Sequence, residues 1–353
     1  MSDLPPHPQE QPPPAAADVL VIGGGIIGLS VAWRAAQRGL AVVLADPAPG
    51  QGATHAAAGM LTPVAEAAYA ERQLFELGSE SLRRYPDFAA ELTELTGLPT
   101  GFQRSGTLQV AYDGDDLAVL EEMRLLQESF GWPAQRLTGR ECRAAEPLLD
   151  PSVRGGLLVA GDGSVDPRLL AAALLAAAQA AGARLVRQAA AELLTSPSAA
   201  TEPDGRVTGA RLADGSVITA PRLVLAAGWQ SAGLAGLPAG LAPPVRPVKG
   251  QILRLRPAPC GGPASLLSQT VRGVVRGSSV YLVPRADGEL VVGATQEELG
   301  PDTTVTAGGV WELLRDARLL VPGITELELA EAVAGLRPGT PDNAPVLGPA
   351  ALP

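Results

Sequence analysis

The pattern near the start of the chain is a run of four apolar residues, Val19–Ile22, followed directly by glycines. Apolar positions then recur at helical spacing over 26–35 and stop at Gly39, a residue type that commonly ends helices. A second apolar run, 41–44, comes next and ends at Asp46. The pattern therefore predicts a strand–helix–strand unit with two parallel strands.

Helices and strands continue to alternate through the rest of the chain. Helical periodicity covers 71–97 and 115–130, with a strand at Thr107–Ala111 between them. Asp166 and Pro167 are typical of a helix cap and first turn, and an alanine–leucine helix runs from there to Gly182. The remaining predicted strands are one starting at Ala183, a hairpin of Val207–Leu212 and Val217–Thr219 turned by Asp214 and Gly215, then Arg222–Leu225, 250–255, 279–283 and 289–293.

This order predicts an α/β protein in which a Rossmann-like, nucleotide-binding domain is interrupted by a second, antiparallel-sheet domain that carries the substrate. The predicted boundaries are a disordered tail at 1–17, a nucleotide domain at 18–80, 150–232 and 334–353, and a substrate domain at 81–149 and 233–333.

The glycines after the first strand have the spacing that binds a dinucleotide pyrophosphate. Gly23 allows a tight turn, Gly25 lets the backbone approach phosphate, and Gly28 lets the helix pack closely on the strand. Asp46 then lies where a carboxylate accepts hydrogen bonds from ribose hydroxyls, which disfavours NADP and leaves FAD or NAD. The alternatives are that the glycines form an ordinary turn and that Asp46 is a solvated acid in a loop.

A late strand favours FAD over NAD. Arg222–Leu225 is followed by Ala226, Ala227 and Gly228, small residues that let a cofactor pass close to the backbone. A simple NAD dehydrogenase would usually complete its first half-sheet with continuous strand–helix units. The alternative is that these small residues only end a strand.

Composition narrows the class of protein. The chain has 353 residues, a formal charge of −10 and a pI of about 4.9, which disfavours nucleic acid and anionic membranes as partners. Two distant cysteines indicate no disulfide framework and fit a reducing cytoplasm. Only two histidines are present, so a histidine-rich metal site or a Ser-His-Asp triad is not expected. The most apolar long stretch, 169–181, is too short to span a bilayer.

Lysine usage is unusual, because Lys249 is the single lysine among 27 basic residues. Either its compact ammonium is needed at that position, or it is a chance retention that forms a structural salt bridge.

The chain resembles the D-amino-acid-oxidase-like flavoproteins, and within them the glycine oxidase branch associated with thiamine biosynthesis. The resemblance covers residues 18 to 348 in family order. Its motifs are the glycine turn, Thr54 to Leu61, Pro247 to Gly250, Tyr281 to Arg285, Val292 to Thr295, and Gly335 to Thr340.

The resemblance implies FAD as the cofactor and adds contacts to the three glycines. Ile26 and Ile27 would begin the helix over the FAD phosphates, and Asp46 with Pro47 would lie at the adenosine ribose. The other implied contacts are Ala53 and Thr54 along the pyrophosphate and ribityl chain, Ala58, Gly59 and Met60 against the flavin, a backbone contact to adenine near Ala191, and the strand end at Ala227 and Gly228.

For the substrate, the resemblance implies Arg337 and Tyr281. A planar arginine in a dry pocket can bind a carboxylate through two hydrogen bonds, and a tyrosine hydroxyl can add another. From the residues alone, Arg337 could equally be a surface arginine and Tyr281 a packing residue. No side chain is assigned as a catalytic acid or base, because the cofactor supplies the chemistry. Ser279 stands where the family usually has a histidine, which bears on pocket size and polarity.

The implied function is an FAD-dependent oxidation of glycine, or of small amines such as sarcosine or D-amino acids, to an imine and glyoxylate with hydrogen peroxide. The alternatives are another D-amino-acid or sarcosine oxidase or dehydrogenase of the same fold, and an inactive truncated flavoprotein. Oxygen, thiazole-synthesis enzymes and a second copy of the chain, as in a homo-tetramer, are the expected partners. The family continues past the position of Pro353 with a flavin-contacting segment, so we expect either a truncated sequence or an incomplete cofactor site.

Overall fold

The computed structural model describes residues 14–132, 134–196, 206–238, 240–257 and 265–350. Its helices are α1 (Ile26–Gln37), α2 (Ala53–Ala56), α3 (Arg72–Thr96), α4 (Gly114–Ser129), α5 (Gly139–Ala145), α6 (Pro167–Ala180) and α7 (Ala307–Leu320). Its strands are β1 (Val19–Ile22), β2 (Val42–Ala45), β3 (Met60–Leu61), β4 (Thr107–Ala111), β5 (Gln135–Thr138), β6 (Gly155–Val159), β7 (Gly163–Ser164), β8 (Arg184–Val186), β9 (Ala190–Thr195), β10 (Val207–Leu212), β11 (Val217–Thr219), β12 (Arg222–Leu225), β13 (Arg246–Arg256), β14 (Thr270–Val275), β15 (Ser278–Pro284), β16 (Leu290–Gly293) and β17 (Glu328–Gly339).

The chain forms two compact units. The smaller unit comprises the described residues of 1–49, 178–243 and 349–353, and the larger unit those of 50–177 and 244–348. The predicted nucleotide domain also included 50–80, 150–177 and 334–348, which the structure groups with the larger unit. The segments 50–80 and 334–348 group together because strand β17 lies close to helix α2. A Cβ on Gly335 would lie 2.6 Å from the Cβ of Ala56. The functional assignment of the two predicted domains stays a prediction.

The smaller unit has three layers. Its central sheet is parallel, in the order β12-β1-β2-β8, and α1 packs against β1 and β2. The antiparallel sheet β11-β10-β9 forms a further layer. Apolar side chains of both sheets form one core, which includes Leu20, Val43, Leu193, Ala210 and Ile218. Because β1 is covered on both faces, its sequence is apolar without alternation.

The larger unit is built on an eight-stranded sheet in the order β17-β13-β16-β15-β14-β4-β6-β5. All neighbouring strands are antiparallel except β4 and β14, which are parallel. A four-stranded parallel sheet in one unit and a large mixed sheet in the other confirm the predicted α/β fold class.

The two faces of the large sheet carry different side chains, because residues of a strand alternate between faces. On β15, Val280 and Leu282 point into the core that α7 covers, a core that also contains Leu313 and Leu320. Val283 and the partly buried Tyr281 belong instead to a smaller apolar cluster with Ala58, Ile252, Val291, Met60 and Ala294. This second face of the sheet, on the side of Met60 and Tyr281, carries the candidate substrate residues.

Most predicted elements are confirmed, several with the same ends and the others with ends shifted by at most four residues. The Asp166 carboxylate caps α6, accepting hydrogen bonds from the N–H groups of Arg168 at 2.8 Å and Leu169 at 3.2 Å. The predicted tail is too long. Residues 1–13 and Cys260 lie outside the described residues, but Ala15 and Ala17 exchange backbone hydrogen bonds of 3.0 and 2.9 Å with Thr219, so they extend the edge of the three-stranded sheet.

Within the described ranges, no helix is both long and apolar enough to cross a membrane. No group of three or more His, Cys, Asp or Glu residues with the geometry of a metal site occurs in the same part of the chain.

Candidate functional site

The glycine turn of the smaller unit has the close approaches that its sequence predicts. Gly23 has a φ of +101°, and a Cβ there would lie 2.3 Å from the carbonyl oxygen of Ala226 at the end of β12. A Cβ on Gly28 would lie 1.8 Å from the carbonyl oxygen of Gly23. Both positions therefore require glycine, and the second one brings α1 onto the strand end as a dinucleotide-binding turn demands.

The N-terminus of α1 is suited to an anion. Gly25 is its N-cap residue, no side chain caps the helix start, and the first turn contains no acidic residue. The backbone N–H groups and the positive end of the helix dipole are therefore not matched by a carboxylate of the helix itself. Ile26 and Ile27 form the first helical positions, and Ile27 is exposed. These features fit the pyrophosphate of FAD.

Asp46 supports the glycine turn directly. One carboxylate oxygen accepts a hydrogen bond from the N–H of Gly24 at 2.6 Å, and the other accepts one from the N–H of Ala48 at 2.7 Å. A carboxylate has about four lone-pair positions, so it retains acceptor capacity for a ribose hydroxyl. The interaction with the turn was not predicted, and the contact of Asp46 and Pro47 with ribose stays a prediction.

The late strand lies where the sequence placed it. β12 pairs with β1 in parallel, with Leu225 opposite Ile22, so Ala226, Ala227 and Gly228 follow the same edge of the sheet as the glycine turn. Ala191 lies on β9 and not on β8, the strand that directly follows α6. The backbone contact of Ala191 with adenine stays a prediction.

In the larger unit, the segment 57–60 forms a turn that depends on Gly59. This residue has a φ of +72°, and a Cβ there would lie 2.1 Å from the carbonyl oxygen of Val165. Ala58, Gly59 and Met60 are the positions predicted to contact the flavin. Ala53 and Thr54 belong to the short helix α2, just before this turn.

Arg285 fixes the turn, a role that the sequence motif did not indicate. Its side chain is buried and donates to the carbonyl oxygens of Ala58 at 2.6 Å and Val165 at 2.9 Å. Burial lowers the pKa of this guanidinium, while the Asp166 carboxylate, 3.7 Å away, acts against that change. Arg285 is thus a single buried side chain that joins both backbone segments around Gly59.

A second group of charges anchors α2. Arg168 donates to the carbonyl oxygen of His55 at 3.0 Å and forms an ion pair of 2.8 Å with Glu331 on β17. The His55 ring lies 3.4 Å from the same carboxylate. These contacts join α2 to β17, the strand that carries Arg337.

Arg337 and Tyr281 lie side by side in the larger unit. The Arg337 guanidinium donates to the carbonyl oxygens of Thr295 at 3.2 Å and Lys249 at 3.4 Å. Burial raises the pKa of the Tyr281 hydroxyl, and the neighbouring positive charge of Arg337 opposes this rise. Arg337 is exposed in this structure, and its place in a dry substrate pocket stays a prediction.

Glycines make room for both side chains. A Cβ on Gly250 would lie 2.4 Å from both terminal nitrogens of Arg337, and a Cβ on Gly293 would lie 2.4 Å from the Tyr281 hydroxyl. Ser279 is exposed two residues before the tyrosine.

Lys249 forms a structural ion pair, one of the two alternatives left open by its sequence. Its fully buried ammonium is 2.7 Å from the Asp302 carboxylate and 3.2 Å from that of Glu297. The hydrogen bond from Lys249 lowers the pKa of Asp302 to about 2. These ion pairs therefore hold Lys249 in place on β13, and its backbone carbonyl oxygen accepts a hydrogen bond from Arg337.

A comparison with known proteins identifies the family. A family model described as FAD dependent oxidoreductase matches residues 18–353, and the chain belongs to this family. It is therefore an FAD-dependent oxidoreductase, which confirms the predicted cofactor and the predicted class of enzyme.

Individual relatives place the chain near the glycine oxidases. It is 34% identical to the glycine oxidase of Geobacillus kaustophilus, over 94% of this chain and 84% of that one. The crystal structure of a glycine oxidase from the same organism superposes with a TM-score of 0.85 at 33% identity, covering 95% of this chain and 86% of that one. The bifunctional protein ThiO/ThiG of Trichormus variabilis is also 34% identical over 94% of this chain. The chain spans 47% of that relative, about half its length.

Proposed function

We propose that this chain is an FAD-dependent oxidase of glycine and similarly small amines, such as sarcosine or small D-amino acids. The observation that carries the proposal is the pairing of Arg337 with Tyr281 in the same unit as the turn Ala58 to Met60. The similarity to glycine oxidases supports glycine as the first substrate to test.

Arg337 would bind the substrate carboxylate. Two backbone carbonyl oxygens accept from one of its terminal nitrogens and so orient the planar guanidinium. A guanidinium fixed in this way can give a carboxylate two parallel, charge-assisted hydrogen bonds. The Tyr281 hydroxyl is protonated at neutral pH, as tyrosines ordinarily are, and burial raises its pKa further, so it can donate one more hydrogen bond.

The rest of the site would position the cofactor. The glycine turn with Asp46 is suited to the adenosine diphosphate half of FAD, and the small residues 56–59 leave backbone accessible to a flat ring. When bound, FAD supplies the acceptor for two electrons and a proton from the substrate. Orientation of the substrate by Arg337 is then the main contribution of the protein to the rate.

The products follow from this chemistry. Oxidation of the Cα–N bond of glycine gives an imine, which hydrolyses to glyoxylate and ammonia, and oxygen is reduced to hydrogen peroxide. The ThiO/ThiG relative supports a role for the imine in thiazole synthesis, with thiazole-synthesis enzymes as partners. Assembly into a homo-tetramer stays a prediction.

The test is peroxide release by the purified protein supplied with FAD, measured with glycine, sarcosine, D-alanine and D-proline. We expect glycine or sarcosine to give the highest kcat/KM, and Arg337→Ala to raise the KM for glycine at least tenfold, since hydrogen bonds to charged groups contribute about 1.5–3 kcal/mol. Arg84→Ala is the matched control, because Arg84 is an exposed arginine paired with Glu80 on α3.

Three results would favour the other interpretations. A preference for D-proline or D-alanine would indicate a different amine oxidase. Dye reduction with little oxygen consumption would indicate a dehydrogenase, and absence of flavin binding would contradict enzymatic function in this chain.

A further inference from the structure

A second arginine lies beside the candidate substrate residues. Arg272 on β14 is the direct partner of Tyr281 on β15, so the two side chains share one face of the sheet. Its guanidinium forms an ion pair with Glu66 and lies 4.0 Å from the Met60 sulfur. The pair is therefore next to both the tyrosine and the turn predicted to contact the flavin.

The segment that carries Glu66 is fixed from the buried side. Gln109, which pairs with Arg272 across β4 and β14, donates to the carbonyl oxygen of Ala65 at 3.0 Å. Gln127 on α4 donates to the carbonyl oxygen of Val64 at 3.0 Å and also contacts Gln109. Both glutamines are buried. Glu66 is thus presented to Arg272 by a backbone that two buried amides anchor.

The charges around Tyr281 sum to one positive charge. Arg337 and Arg272 each contribute +1 and Glu66 contributes −1, and all three act electrostatically on the tyrosine hydroxyl. A net charge of +1 matches a substrate with one carboxylate. Without Glu66 the same residues would present two positive charges, and Arg272 would have donors available for a second carboxylate.

We propose that Glu66 determines the charge selectivity of the substrate site: by pairing with Arg272 it restricts the site to amino acids with a single carboxylate. Glu66 and Arg272 are specificity-determining residues in this interpretation, and neither takes part in bond breaking. The inference deepens the proposed function and rests on Arg337 and Tyr281 as the substrate-binding pair.

Glu66→Gln tests the proposal with the smallest change of shape. Glycine and iminodiacetate are compared, because both offer a CH₂ group next to nitrogen and a carboxylate, and iminodiacetate adds a second carboxylate. We expect the ratio of kcat/KM for iminodiacetate to that for glycine to rise about tenfold. This is the effect expected when Glu66 no longer neutralises the charge of Arg272 at a partly exposed site. Glu66→Asp keeps the charge and should keep the wild-type ratio.

Two further variants separate this effect from a general disturbance. Glu80→Gln removes an exposed carboxylate paired with Arg84 on α3 and should leave the ratio unchanged. The double variant Glu66→Gln with Arg272→Met should return the ratio to the wild-type value or below it. An unchanged ratio in Glu66→Gln, or an equal rise in Glu80→Gln, would overturn the proposal.

A binding measurement makes the test independent of turnover. The dissociation constants of acetate and malonate are measured from the perturbation of flavin absorbance in the FAD-loaded protein. Glu66→Gln should tighten malonate about tenfold more than acetate, and equal changes for both ligands would overturn the proposal. If no amine is oxidised, the proposed function fails, while the acetate–malonate comparison still decides the role of Glu66.

Discussion

The guanidinium of Arg337 lies directly against the backbone of Gly250. The two residues are on neighbouring antiparallel strands, β17 and β13, and a Cβ on Gly250 would lie 2.4 Å from both terminal nitrogens of the arginine. The glycine is therefore what allows Arg337 to reach the carbonyl oxygens of Lys249 and Thr295.

Gly250→Ala should displace Arg337 and weaken carboxylate binding. We expect the dissociation constant of acetate and the KM for glycine to rise about tenfold, because the guanidinium loses its orientation. FAD affinity should not change. Gly308→Ala on α7, where a Cβ meets no atom within 4 Å, is the control and should leave both values unaltered. Wild-type acetate binding in Gly250→Ala would contradict a substrate role for the observed position of Arg337.

Arg285 gives a prediction about cofactor binding. Arg285→Lys keeps a positive charge but cannot reach the carbonyl oxygens of both Ala58 and Val165, so one buried acceptor loses its donor at a cost of about 1–3 kcal/mol. We expect FAD affinity to fall together with the melting temperature. Both are measured on the purified variant by flavin fluorescence and thermal unfolding.

The matched control for Arg285 is Arg254→Lys. Arg254 is also buried in the large sheet, but it pairs with Glu289 at 2.5 Å and more distantly, at 3.7 Å, with Glu331, and it donates to neither carbonyl oxygen that Arg285 binds. This variant should lose stability and keep its FAD affinity. If Arg285→Lys binds FAD as tightly as the wild-type protein does, the turn does not need the arginine.

The sequence predicted the elements whose burial gives a regular pattern. Helices α3 and α4 each bury one side, which gives their sequences a helical period. Strand β1 is buried on both faces, which gives a continuous apolar run. Strand β17 was not predicted, because it lies at the edge of its sheet and its first eight residues are exposed or half-buried without alternation. Only its pairing with β13 along its whole length makes it a strand.

The site was predictable where its residues form local motifs. The glycine turn, Asp46 and the small-residue segment before Met60 are each continuous in the chain. The contacts of Arg285 with Ala58 and of Arg272 with Glu66 join residues more than 200 positions apart, so no local pattern could indicate them. The only sequence feature that marks Arg285 is its position directly after the apolar strand residues 281–284, and that position does not indicate its role.

Gly28→Ala tests the dinucleotide turn. A Cβ at this position would lie 1.8 Å from the carbonyl oxygen of Gly23, so the start of α1 must move away from the strand end. We expect loss of FAD binding by at least one hundredfold, since the N–H groups of the helix would no longer be aligned with the pyrophosphate.

Gly114→Ala, at the start of α4, is the comparison for Gly28, because a Cβ there meets no atom within 4 Å. It should bind FAD normally. Retention of wild-type FAD affinity in Gly28→Ala, with the fold intact by circular dichroism, would show that the turn does not bind the pyrophosphate.

Asp162 gives a prediction about stability against pH. Its carboxylate is completely buried, and among the described residues neither oxygen has a well-formed hydrogen bond. Burial raises its pKa to about 7, from an ordinary value of 3.8. Because the folded-state pKa is the higher one, the fold favours the protonated acid. Its stabilisation is complete below pH 4 and is lost as the pH rises through about 7.

Asp162→Asn should remove this dependence, because the amide is similar in shape and does not ionise. The pKa difference corresponds to about 4 kcal/mol across the range, at about 1.4 kcal/mol per pKa unit. The free energy of unfolding in urea is compared for the two proteins at pH 5, 6, 7 and 8. We expect the variant to gain stability relative to the wild-type protein as pH rises, with the difference levelling off above pH 7. Parallel pH profiles for the two proteins would mean that Asp162 does not titrate in this range.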